Sequence, residues 1–187
     1  MSKARTSKSH PLQIGTVDLP DGGRIGVTFC PGKCQHDAMT GRWVRNLEAD
    51  LEAIRAWGAA AVITLIEEHE FAELSVEGLG EGVRTLGMQW HHLPIPDMSV
   101  PDSAWERRWQ ETAPGIHRLL SEGGQVVVHC KGGLGRAGTV AARLLIERGH
   151  GAEDAMVKVR AVRPGAIENA TQERYLRGLH AWPIIAG

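Results

Sequence analysis

The chain has 187 residues, of which 42% are hydrophobic and 23% charged, with a formal net charge of −1. That length holds one sizeable core, and the near-neutral charge supplies no global field for nucleic acid or an anionic membrane surface. Neither is expected as a partner. No apolar run approaches membrane-spanning length, and no apolar segment follows the basic first residues, so the chain reads as soluble and unexported, hence cytoplasmic. Three cysteines at irregular spacing argue for a reducing compartment and against a disulfide framework.

Residues 1–11 are expected to form a disordered leader, and 12–187 a single domain. Two short apolar runs flank Pro20-Asp21-Gly22-Gly23, which predicts a hairpin ending in the strand Arg24–Phe29. Trp43, Val44, Leu47, Leu51 and Ile54 recur at helical spacing and predict a helix over Thr40–Trp57, stopped at Gly58. Ala60–Ile66 reads as a buried parallel strand, 67–86 as helical patches and Met88–Leu93 as another strand, ended by Pro94-Ile95-Pro96-Asp97. A helix over Ser103–Glu122, a strand at Gln125–His129 and helices at Gly135–Arg148, Ala152–Val162 and Ala170–His180 complete the pattern. Strands separated by helices predict a three-layer α/β fold around a mainly parallel sheet.

The chemistry concentrates at His129-Cys130-Lys131-Gly132-Gly133-Leu134-Gly135-Arg136. A bare Cys-x5-Arg spacing is weak, since with three cysteines about one chain in five would carry it at ordinary Arg usage. Its context is stronger. An apolar strand enters Cys130, three glycines let the backbone curl so that N–H groups converge, and a helix leaves at Arg136. The helix N-terminus and the guanidinium favour both a bound phosphate and a thiolate, and the planar fork of Arg can hold two phosphoryl oxygens.

Two other phosphate loops compete for these residues. Gly133-Leu134-Gly135-Arg136-Ala137-Gly138 satisfies the dinucleotide spacing G-x-G-x-x-G, but the acidic residues about twenty positions on, Glu153 and Asp154, fall in a helical stretch rather than at a strand end. The ATP-binding loop needs Lys before its hydroxyl residue, and Gly138 precedes Thr139. A small buried cysteine at a strand end would leave the glycines and Arg136 without a purpose.

With these residues in place the chain resembles the protein tyrosine phosphatase superfamily, in its dual-specificity branch, and most closely the kinase-associated phosphatases. The resemblance runs over about residues 28–180. It rests on the loop at 129–136, the Pro31-Gly32 turn, His91-His92-Leu93-Pro94-Ile95-Pro96-Asp97 with Pro101-Asp102, and Gly165-Ala166-Ile167 followed by Gln172 and Tyr175-Leu176. It implies a phosphocysteine mechanism with Cys130 as nucleophile, Lys131, Gly132, Gly133, Leu134, Gly135 and Arg136 as the phosphate cradle, and Asp97 as the acid that protonates the leaving oxygen. Asp102 is the alternative acid, though its place ahead of a helix suits a cap. His129 is implied to organise the loop from behind, and Gln172 to help position the hydrolytic water. No metal or other cofactor is implied. The substrate is expected to be a phosphoprotein, on Tyr and Ser/Thr alike, with a protein kinase among the candidates.

Two departures matter. Most members carry Ser or Thr directly after the signature arginine, where its hydroxyl helps the cysteine leave; this chain has Ala137, with Thr139 the nearest substitute. This opens the alternative of a catalytically weak, phosphatase-like binding module. Lys131 is shared with lipid phosphatases of the superfamily, but their second loop lysine is replaced by Leu134, which disfavours a phosphoinositide substrate. Cys30, Cys34 and His36 lack a fourth ligand for metal and are expected as free thiols near the site rim.

Overall fold

The structure, a computed structural model, describes residues 3–182. Strands β1 (Gly15–Asp18) and β2 (Arg24–Thr28) form the expected hairpin, in the register Gly15 to Val27 and Asp18 to Arg24. A short antiparallel ribbon, β3 (Cys34–Gln35) with β4 (Trp43–Val44), follows. Helix α1 (Leu47–Trp57) therefore starts seven residues later than its periodicity predicted. The physical reason is local. Trp43 and Val44 pair with Gln35 and Cys34, while the Asn46 side chain accepts from the Ala49 amide and caps the helix. At the other end Gly58 has φ +105°, a left-handed conformation, as the stop signal predicted.

Then come β5 (Ala61–Thr64), two short helices α2 (Glu68–Glu73) and α3 (Leu79–Thr85), β6 (Gln89–His92), the long α4 (Ser103–Ser121), β7 (Gln125–His129), α5 (Gly135–Glu147), α6 (Ala152–Val162) and α7 (Ala170–Arg177). The sheet order is β1-β2-β7-β5-β6, with every pair parallel except the β1–β2 hairpin. This is the expected three-layer α/β architecture. Alternation along the central strands separates two cores: Val126 and Val128 of β7 join Ala61 and Ile63 under α4 to α7, whereas Val127 joins Val62 under α1 to α3. β7 is the last strand made but lies at the sheet centre, so the residue after it emerges among the carboxyl ends of β2, β5 and β7, where open α/β sheets bind ligands.

The segment expected as a disordered leader makes defined contacts from Arg5 onward. Arg5 donates to the Arg42 carbonyl at 2.9 Å and accepts from the Val44 amide at 3.1 Å, its guanidinium lies 5.2 Å from the Trp43 ring centre, and Arg45 donates to the His10 carbonyl at 2.7 Å. Unpaired edge groups of β4 and the buried Arg45 guanidinium hold these residues, a tertiary effect that a polar composition conceals. The first two residues of that expected leader and residues 183–187 of the expected domain lie outside the described residues.

Candidate active site

The β7 strand delivers Cys130, 3% exposed, into a loop that closes at Gly135, the first residue of α5. Of the three loop glycines, Gly133 is the one its conformation demands. It has φ +69°, and a Cβ there would collide with the backbone of Thr28 and Phe29. Gly135 is needed for a different reason, because a Cβ would run into the side chains of Glu168 and Gln172 packed across it. Gly132 meets nothing within 4 Å.

Arg136 points back from α5 and is 1% exposed. Its Nη1 donates to Glu70 Oε2 at 2.7 Å and to the Ile95 carbonyl at 3.0 Å, and its Nη2 donates to Glu70 Oε1 at 2.9 Å. Nη2 also lies 3.2 Å from Asp97 Oδ1. Burial opposes ionisation of Glu70, but the hydrogen bonds from Arg136 and from the Glu67 amide outweigh it and hold the carboxyl below its usual range. One donor is left over. Among the described residues, Arg136 Nε is the buried side-chain polar atom with no hydrogen-bond partner.

His129 is buried completely and stands in a chain of polar contacts. Trp90 Nε1 donates to Thr64 Oγ1 at 2.8 Å, Thr64 Oγ1 lies 2.8 Å from His129 Nε2, and His129 Nδ1 lies 3.3 Å from the Cys130 carbonyl. Since Trp90 can only donate, the Thr64 hydroxyl is free to donate to Nε2, which leaves the Nδ1 proton for the Cys130 carbonyl. Burial, reinforced by the Arg136 charge, pushes the imidazole down to about 4, so it is neutral at ordinary pH.

Asp97 sits on the loop after β6, with its side chain 59% exposed and Oδ1 accepting from the Met98 amide at 3.0 Å. Met98 has φ +60°, an uncommon conformation for a non-glycine residue, and the start of α7 fastens this loop: Asn169 Nδ2 donates to the Met98 carbonyl at 3.0 Å and Gln172 Nε2 to the Ser99 carbonyl at 3.3 Å. Gln172 is wholly buried. Asp102 caps α4, accepting from the Trp105 amide at 2.8 Å. Thr139 Oγ1 donates to the Gly135 carbonyl at 2.7 Å, one turn back along α5, so its single proton is committed within the helix. Cys130, Lys131, Gly132, Leu134, Gly135, Arg136, Asp97 and Glu168 line one cleft of about 290 Å³, closed on its far side by Lys33 and residues of the β3–β4 loop.

Known proteins resemble this chain in sequence and fold. The family described as "Polymorphic toxin system, DSP-PTPase phosphatase" matches residues 38–150, which include Asp97, Cys130 and Arg136. Cyclin-dependent kinase inhibitor 3 of Rattus norvegicus is 34% identical over 172 residues, covering 89% of this chain and 77% of its own length. The chain belongs to the dual-specificity phosphatases. Dual specificity protein phosphatase 26 of Rattus norvegicus is 38% identical over 102 residues, 54% of this phosphatase and 44% of its own length. The crystal structure of kinase associated phosphatase, with serine substituted for its catalytic site cysteine, superimposes with a TM-score of 0.76 at 27% identity, covering 89% of this chain and 92% of that one.

Several residues around the phosphatase's loop escaped the sequence reading. Glu70 had a signal, since Glu67 and Glu70 form a capping box at the start of α2, but nothing in that motif points at Arg136, 66 residues away. Thr64 and Trp90 looked like strand residues. Cys30 and Cys34 are free thiols. Cys30, however, is buried under the loop rather than at its rim: it is 0% exposed, its amide donates to the Lys131 carbonyl at 3.3 Å, and burial pushes its thiol well above the usual range.

Proposed function

We propose that this phosphatase hydrolyses phosphomonoesters on phosphoproteins through a phosphocysteine intermediate. The observation that carries the reading is the unpartnered Nε of Arg136, a buried donor beside Cys130 that a phosphoryl oxygen would satisfy. Glu70 and Ile95 occupy the far edge of the guanidinium, leaving Nε and the Asp97-facing Nη2 for substrate.

In the first step the Cys130 thiolate attacks phosphorus, the ester P–O bond breaks, and Asp97 gives its proton to the departing oxygen. Loop amides and Arg136 hold the three equatorial oxygens as charge spreads over them. Water then attacks the phosphocysteine, Asp97 takes a proton from it, the P–S bond breaks and phosphate leaves. Gln172, which accepts from the Glu168 amide and donates to the Ser99 carbonyl, would serve this step through the loop carrying Asp97 or by orienting that water. The names of the relatives put a phosphorylated kinase among the candidate substrates.

A second reading has its own observation: with alanine at 137 and the Thr139 proton given to Gly135, no hydroxyl is offered to the departing thiolate, as a weak phosphatase that binds phosphoproteins would show. Hydrolysis of an aryl phosphate separates the two. Chelator-insensitive turnover that Cys130→Ser abolishes is the expected result, and wild type no faster than Cys130→Ser would overturn the enzymatic reading.

A further inference from the structure

Three consecutive carbonyls of the phosphate loop are gripped from outside by two cations. Lys33 Nζ donates to the Lys131 carbonyl at 3.3 Å, Arg163 Nη2 to the Gly132 carbonyl at 2.9 Å, and Arg163 Nε to the Gly133 carbonyl at 3.0 Å. The two side chains come from opposite ends of the chain, one from the turn before β3 and the other from the residue after α6. They share a platform: Lys33 Nζ lies 5.0 Å and the Arg163 guanidinium 6.0 Å from the Phe29 ring centre, and Lys33 lies a further 4.3 Å from the Trp43 ring.

A trans peptide unit points its C=O and N–H in opposite directions. Holding the carbonyls of 131, 132 and 133 outward therefore turns the amides of Gly132, Gly133 and Leu134 inward, toward the cleft that Cys130 and Arg136 line. Charge adds to geometry. Lys33 is 5% exposed, and among the described residues neither cation has a carboxylate at ion-pair distance. Two partly or wholly buried positive charges without a carboxylate partner favour an anion inside the loop they surround.

We propose that Lys33 and Arg163 are positioning residues for phosphoryl transfer, which set the inward orientation of the loop amides and complete the positive field that captures the phosphoryl group. This rests on the phosphatase reading of Cys130 and Arg136. Burial holds Lys33 down to about 8, with the neighbouring thiol groups of Cys30 and Cys130 opposing it and Arg163 and Arg45 assisting, as suits a cation poised for an anionic guest.

Inorganic phosphate is the probe, and its binding is read as protection of Cys130 from alkylation by iodoacetamide, a measurement that needs no turnover. Lys33→Met and Arg163→Met are expected to weaken phosphate binding by about tenfold or more each, the loss of a charged hydrogen-bonding group. Lys33→Arg should restore it, Arg163→Lys should recover part, and Arg177→Met, an exposed charge away from the loop, should match wild type. Phosphate affinities within about twofold of wild type in the two Met variants, at retained melting temperature, would overturn the proposal. If Arg163→Met does not fold, Lys33→Met against Lys33→Arg decides by the same criterion. Failure of the phosphatase reading looks different, as wild type would then bind phosphate without turning over an aryl phosphate.

Discussion

Glu70 and Arg136 form a buried, two-pronged ion pair, 2.7 and 2.9 Å long, between the first turn of α2 and the first turn of α5. It fixes the guanidinium plane and so decides which of its donors faces the cleft. Removing the carboxylate strands a buried cation, so Glu70→Ala should cost about 3–5 kcal/mol in stability and lower kcat/KM on an aryl phosphate by at least about tenfold. Denaturant unfolding beside steady-state kinetics checks both. A stability loss under about 1 kcal/mol would show that the pair is not what holds Arg136.

His129 gives the protein an acid-side weakness. Its folded value near 4 lies below the ordinary 6.5, so between these values the unfolded chain binds a proton that the native state refuses. The stabilisation is complete above about pH 6.5 and is lost as pH falls toward 4, amounting to about 3 kcal/mol. Urea unfolding across that window should show the loss in wild type and a flatter profile in His129→Asn. Parallel profiles for the two proteins would exclude this origin.

Asp97, if it protonates the leaving oxygen, matters most when that oxygen leaves poorly. Asp97→Asn should slow hydrolysis of phenyl phosphate or a phosphoserine peptide by about a hundredfold or more, and hydrolysis of a nitro-substituted aryl phosphate much less. An equal loss on good and poor leaving groups would return the role to Asp97's contact with Arg136.

Ala137 is fully buried at the first turn of α5, with no hydroxyl to meet a departing thiolate. Ala137→Ser is expected to speed phosphocysteine breakdown and reduce the phosphoenzyme present at steady state, at a stability cost of about 1–3 kcal/mol if the new hydroxyl finds no partner in the apo protein. Rapid-quench measurement of the two steps gives the answer. A wild-type breakdown step already as fast as phosphorylation would remove the reason for the substitution.

Much of the fold was legible because its signals are local. The β7 run of valines, the Gly58 stop and the Pro20-Asp21-Gly22-Gly23 turn specify their elements within a few residues of chain. Trp43 and Val44 show where this fails: their spacing fits a helix, but pairing with Cys34 and Gln35, set by the returning chain, outweighs that periodicity. Arg5 and His10 likewise look solvated until the partners that hold them are known.

By itself the sequence determined which groups the loop brings together, because a thiol, a curling backbone and a guanidinium at fixed offsets lie within seven residues and need little else to meet. The tertiary structure alone decided which atoms remain available. Glu70, Thr64, Lys33 and Arg163 reach that loop from four separate segments, each by a contact spanning 30 to 98 residues of chain. No spacing rule records such contacts, since sheet order, and not sequence distance, brings the carboxyl ends of β2, β5 and β7 together around Cys130.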